Sequence, residues 1–120
     1  MLARSWMATI DEARADEYEL FARNVSLPMF EAAPGFLGVV MTRSGDQCSV
    51  LTLWHDIADV TSLEASEPYR RTVAQILDTD FIISAQATTL NQVHVLQIAD
   101  CLQAYDCTTL SCNGDATRGA

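Results

Sequence analysis

Two periods of apolar and polar positions run along this chain, one close to two residues and one close to three and a half. Residues 2–10 (LARSWMATI) hold aromatic and β-branched side chains with no helix-starting signal before Asp11, which predicts a first strand. Asp11 can accept a bond from a free backbone N–H, and Glu12 suits the positive end of a helix dipole, so a helix is expected to start there. Tyr18, Phe21 and Val25 recur at three and four residues and form one core-facing stripe, with Glu17, Glu19 and Arg23 off it. Pro28 has no backbone donor, so this helix is expected to break or restart near Leu27 and to finish between Glu31 and Ala33, ahead of a Pro34-Gly35 turn.

The runs 36–43 (FLGVVMTR) and 47–55 (QCSVLTLWH), joined by Ser44-Gly45-Asp46, read as a β-hairpin. Alternation in its second arm puts Cys48, Val50, Thr52 and Trp54 on one face and Ser49, Leu51, Leu53 and His55 on the other. Both faces are largely apolar, so both are expected to be covered. Ile57, Val60 and Leu63 predict a short helix after Asp56, and Tyr69, Val73, Ile76 and Leu77 a second helical stripe from Pro68. A last strand is predicted over 92–98, where His94, Leu96 and Ile98 alternate with Val93, Val95 and Gln97.

This order gives an α+β, ferredoxin-like β-α-β-β-α-β domain over residues 1–99: a four-stranded antiparallel sheet with its helices on one face. Residues 100–120 form a polar tail, expected to be flexible unless a partner holds it. The second face of the sheet needs a cover, and the simplest is the same face of another copy in a two-fold homodimer.

Composition narrows the possible partners. Sixteen acidic against seven basic residues give a net charge of −9, which repels a phosphate backbone and argues against nucleic acid. No run of about eighteen apolar residues can span a membrane, and acids stand near the N-terminus where a signal peptide needs its apolar core, so a cytoplasmic protein is expected. In that compartment Cys48, Cys101, Cys107 and Cys112 are expected to stay reduced. The tail cysteines lack the paired spacing of roughly two to four residues that zinc sites use, so no metal site is expected.

Three segments carry a family resemblance: Pro34-Gly35-Phe36-Leu37-Gly38, Val50-Leu51-Thr52-Leu53-Trp54 and Ser66-Glu67-Pro68-Tyr69-Arg70. In this order and at these intervals the chain, over roughly residues 2–99, resembles the antibiotic biosynthesis monooxygenase superfamily of dimeric α/β barrels. The resemblance implies a homodimer and, among the superfamily's activities, cofactor-independent oxygenation of quinol- or anthrone-like aromatics or haem degradation. The haem-degrading branch implies an Asn on the first strand, a Trp in the later helical region and an iron-ligating His beyond it. The corresponding places hold Ser5 and Met7, Leu63 and Val73, so that pattern is not matched.

No phosphate loop, nucleophile elbow, HExxH or paired-carboxylate motif is present. A cofactor-free oxygenase needs only a dry pocket, a base and access for dioxygen. His55 and His94 are the candidate bases, because imidazole exchanges protons near neutrality; His94, between apolar neighbours in the last predicted strand, is expected to be the better buried. Tyr69 is a candidate catalytic residue and, with Trp54, positions an aromatic ring; Trp6, Phe21 and Arg70 complete the candidate substrate contacts. Each also has an ordinary structural reading: Trp54 and Trp6 as core, Tyr69 in the helical stripe, Arg70 in solvent, the histidines at a strand end or interface. Arg4 shares the face of Trp6 and is expected to meet an acid across the dimer. The expected function is monooxygenation of a small aromatic or quinol-like molecule without a cofactor. The alternatives are a non-catalytic ligand-binding dimer and a haem-binding protein using one of the two histidines.

Overall fold

In the computed structural model, which describes residues 1–85 and 87–99, the first strand, β1, spans Leu2–Ile10 as its composition predicts. It lies at the centre of an antiparallel sheet. Its even-numbered residues point inward: Arg4 stands opposite Thr52, Trp6 opposite Val50 and Ala8 opposite Cys48 on β3 (Gln47–Trp54). β2 (Phe36–Ser44) pairs on the far side of β3 and makes the predicted hairpin. The inward residues of β3, Cys48, Val50, Thr52 and Trp54, are all buried, as alternation requires.

The first helical segment is continuous from residue 12 to 31, where a break had been expected. Asp11 accepts from the Ala13 N–H at 3.1 Å and opens a 3-10 turn, Glu12–Arg14, which leads into α1 (Ala15–Phe21). A π-helical turn, Ala22–Ser26, then carries the chain into α2 (Leu27–Glu31). The Leu27 N–H reaches back five residues to the Ala22 carbonyl. In a regular α-helix the Pro28 ring would collide with the carbonyl four residues earlier and leave it unbonded; a wider turn placed just before Pro28 relieves the collision without ending the helix. The buried stripe runs through Tyr18, Ala22 and Phe30, with Phe21 and Val25 half-buried.

The later helices start where their caps dictate. Asp56 accepts from the Asp59 N–H while the Asp59 carboxylate accepts from the Asp56 N–H, a capping box that begins α3 (Ile57–Ala65). Ser66 Oγ accepts from the Tyr69 N–H and, with Pro68 in the first turn, begins α4 (Glu67–Asp78). Gly35, at φ +81°, packs so closely on α3 that a Cβ there would overlap the Asp59 carboxylate, and its carbonyl accepts from the His55 N–H at 2.9 Å. Only glycine meets both demands.

The fourth position in the sheet differs from expectation. It is filled by two short strands on the free edge of β1: β4 (Ile82–Ala85) beside Ala8–Ile10 and β5 (Thr89–Gln92) beside Leu2–Ser5. The sheet order is therefore β2-β3-β1-β4, with β5 also on β1. The strand predicted over 92–98 is overturned. Gln92 faces Leu2 at the start of β1 and the Val93 N–H donates to the Met1 carbonyl at 3.0 Å, and beyond that bond residues 94–98 are in no strand. The expectations for 100–120, including Cys101, Cys107 and Cys112, lie outside the described residues; Cys48 is a buried free thiol.

Two apolar clusters fill the space between sheet and helices. One holds Ile10, Ala15, Tyr18, Ala22, Cys48 and Phe81, the other Phe30, Val50, Trp54, Val60 and Leu63. Trp6 and Met41 touch both. No helix among the described residues is long and apolar enough to cross a membrane.

Candidate functional site

Between the two clusters lies a cavity of about 210 Å³, bounded by β1 and β3 below, the α1–α2 helical segment on one side and α4 on the other. Its walls are mostly apolar, and Leu77 and Ala85, both exposed, mark where it meets solvent. An apolar space of about 150 Å³ takes a benzene molecule, so this one suits a compound of one or two fused rings.

The charged group on the cavity wall is Arg4, only 2 % exposed. Its Nε donates to Glu64 Oε2 at 2.9 Å and its Nη2 donates to the Tyr69 hydroxyl at 2.8 Å. The guanidinium carbon lies 5.3 Å from the Tyr69 ring centroid. β1 supplies the arginine, α3 the carboxylate and α4 the phenol. Arg4 therefore meets its acid within the chain, correcting the expectation of a partner across a dimer.

Tyr18 also lines the cavity. Burial, and after it the neighbouring Cys48, pushes its phenol above the ordinary tyrosine value, so the hydroxyl is neutral.

Of the residues singled out by sequence, the cavity brings together two, Tyr69 and Trp6. Trp54 is fully buried, donating its indole N–H to Thr52 Oγ1 at 2.8 Å and packing edge-on against Phe30 and Phe36; it is core. Phe21 is half-buried and packs on Phe81 rather than on the cavity. Arg70 is exposed. His55 has a side chain 76 % exposed and lies 3.5 Å from the Asp56 carboxylate at the head of α3. His94 is exposed as well, reversing the expectation that it would be the better buried histidine: it lies beyond the end of β5, outside the sheet. Neither histidine reaches the cavity, so neither is placed to act as a base in it or to ligate an iron bound there.

Sequence reasoning passed over Arg4 and Glu64 as site residues. The available signal was Arg4 itself, a charge at an inward position of a strand whose other inward residues are apolar. Among the described residues, His55, Asp56 and Asp59 form a cluster with ligand atoms within 4.8 Å of one another. Its two carboxylates are already accepting the free N–H groups at the start of α3, which accounts for their convergence.

No protein-family model matches the sequence, and no curated protein is significantly similar to it. Solved structures do match. SnoaB of Streptomyces nogalater, described as a cofactor-independent oxygenase, superposes with a TM-score of 0.64 at 15% identity, over 79% of this chain and 94% of its own. A structure named as an antibiotic biosynthesis monooxygenase gives 0.60 at 17% identity, over 81% of this chain and all of its own. Rv0793 of Mycobacterium tuberculosis gives 0.58 at 16% identity, over 82% and 97%. The chain has the antibiotic biosynthesis monooxygenase fold. At these identities the likeness is one of fold, and the chemistry rests on the cavity.

Proposed function

We propose that this chain is a homodimeric, cofactor-independent monooxygenase acting on a small aromatic or quinol-like compound held between α4, the α1–α2 segment and the sheet. The observation that carries this reading is the apolar cavity with one polar anchor, the Arg4–Tyr69 pair, on its wall. Support also comes from the neighbour described as a cofactor-independent oxygenase. Trp6, on the cavity wall, supplies an aromatic contact for the ring, and Tyr69 positions a ring oxygen. The homodimer is supported by the outer face of the sheet, where Met7 and Val40 are exposed and Leu51 and Leu53 half-covered.

1-Naphthol is a two-ring probe of this chemistry. In the proposed reaction C4 gains a carbonyl oxygen from dioxygen, while the second oxygen atom leaves as water with the hydroxyl hydrogen and the C4 hydrogen, giving 1,4-naphthoquinone. Incubation under ¹⁸O₂ should put one labelled atom into the quinone, faster than the protein-free background, and Tyr69→Phe should slow turnover by roughly tenfold, the effect of losing one hydrogen bond to a charged group. Labelling at the background rate would reject the reaction. A second reading has its own observation: no histidine or carboxylate among the described residues lines the cavity, which favours a non-catalytic ligand-binding dimer. Saturable naphthol binding without oxygen uptake would select it.

A further inference from the structure

We propose that the cavity recognises its ligand as an oxyanion, an aromatic ring carrying a carboxylate or an ionised hydroxyl, through the Nη1 edge of Arg4. This rests on the reading of the cavity as the ligand site and names the class of molecule it takes.

Arg4 is the one buried ionised side chain among the described residues, in a protein whose net charge is −9. A guanidinium taken out of water needs an opposite charge and a partner for each donor. Arg4 has them only in part. Glu64 engages it through a single oxygen, at Nε, and has a side chain 43% exposed, so water weakens its field. Tyr69 at Nη2 is neutral as an acceptor. Nη1 makes no hydrogen bond among the described residues. Every fully buried side-chain nitrogen and oxygen among those residues does have a partner. Nη1 is therefore the part of this otherwise enclosed group that stays accessible, and the space Arg4 borders is the cavity. A guanidinium edge with unused, coplanar N–H donors in an apolar chamber fits a carboxylate or phenolate oxygen. The oxyanion supplies the missing negative charge, and the ring fills the apolar volume beyond it.

The arrangement also gives Glu64 a definite role as a positioning residue. It competes for the charge of Arg4, holding the side chain in place while it tempers the attraction for a ligand anion.

The test compares 1-naphthoate with 1-naphthamide, close in shape and different in charge, by calorimetric titration at neutral pH. The naphthoate should bind at least about tenfold more tightly, as a charge-assisted hydrogen bond in a dry site exceeds a neutral one. Arg4→Met should abolish the preference while retaining amide binding. Glu64→Gln should widen it, because the guanidinium no longer shares its charge, whereas a purely structural Glu64 would weaken both ligands alike. Equal binding of the two probes by the native protein overturns the proposal. So does a preference unchanged or narrowed in Glu64→Gln, and this second variant decides the matter if Arg4→Met does not fold. Neither probe turns over, so loss of naphthoate preference with naphthol oxygenation intact removes the oxyanion site alone. Retained preference with no oxygenation removes the enzyme reading alone.

Discussion

The Trp54 indole N–H donates to the Thr52 hydroxyl two residues back on the same strand, at 2.8 Å, with both side chains fully buried. The pair makes the floor of one core cluster self-sufficient: the indole leaves no polar atom to be met by a ligand, and its ring is enclosed by Phe30 and Phe36. Thr52→Val should therefore cost about 1–3 kcal/mol, the penalty for a buried donor left without its acceptor. Trp54→Ala should cost about 3–5 kcal/mol through the cavity it opens. Urea denaturation measures both. Naphthoate affinity per folded molecule should be unchanged in Thr52→Val, and a loss of affinity with stability intact would return Trp54 to the ligand site.

What could be read from the sequence divides along the range of the interactions involved. The limits of β1, the hairpin, α3 and α4 follow from signals within a few residues of each boundary: Asp11, Gly45, the Asp56–Asp59 box, Ser66 and Pro68. The last strands do not, because the place where 82–92 pair is decided by the length of β1, more than seventy residues earlier. QVHVLQI has a strand's alternation, but only its first residue, Gln92, lies in a strand, beside the start of β1. The site divides in the same way. Tyr69 and Trp6 were legible as aromatic residues on inward faces, whereas the Arg4–Glu64 and Arg4–Tyr69 contacts join residues 60 and 65 positions apart. Imidazole chemistry makes the two histidines conspicuous in the sequence, but nothing near them reveals their exposure.

That exposure carries a prediction. With His55 at the head of α3 and His94 beyond β5, the double substitution His55→Ala/His94→Ala should leave naphthol turnover within about twofold of the native rate. The pH profile of kcat/KM should likewise lack a limb near the ordinary imidazole value of about 6.5. A tenfold loss, or a limb that disappears with either histidine, would show that an imidazole takes part after all.

Alkaline pH should act through the buried end of the cavity. Burial raises the Tyr18 phenol, and burial raises the Cys48 thiol despite the downward pull of Tyr18 and Arg43. Both groups hold their protons longer in the folded chain than in the unfolded one. Their contribution to stability is thus complete below the unfolded-state values, about 8.5 for the thiol and 10 for the phenol, and declines as pH rises through and beyond them. The urea midpoint should be level from neutrality to about pH 8 and fall above it. Tyr18→Phe should flatten the part of the fall above about pH 10. An identical slope in the Phe variant would mean that Tyr18 ionises as freely in the folded state as in the unfolded.

The outer face of the sheet makes the last prediction. Leu51 occupies its middle, opposite Ser5 on β1 and Val40 on β2, and no helix among the described residues covers that side. Val40 is 53% exposed and Met7 42%, so all three strands present apolar side chains on this face. Burying it against a second copy releases water from both, at roughly 25 cal/mol for each Å² covered, whereas a lysine at its centre would have to lose its hydration or hold the sheets apart. Sedimentation should give a dimer for the native chain, and Leu51→Lys should shift it to monomer at micromolar concentration while the far-ultraviolet circular dichroism is retained. The cavity lies on the opposite side of the sheet, so the monomer should still prefer naphthoate to naphthamide. A native monomer would refute the dimer, and a monomeric variant that has lost ligand binding would mean that the second copy contributes to the site.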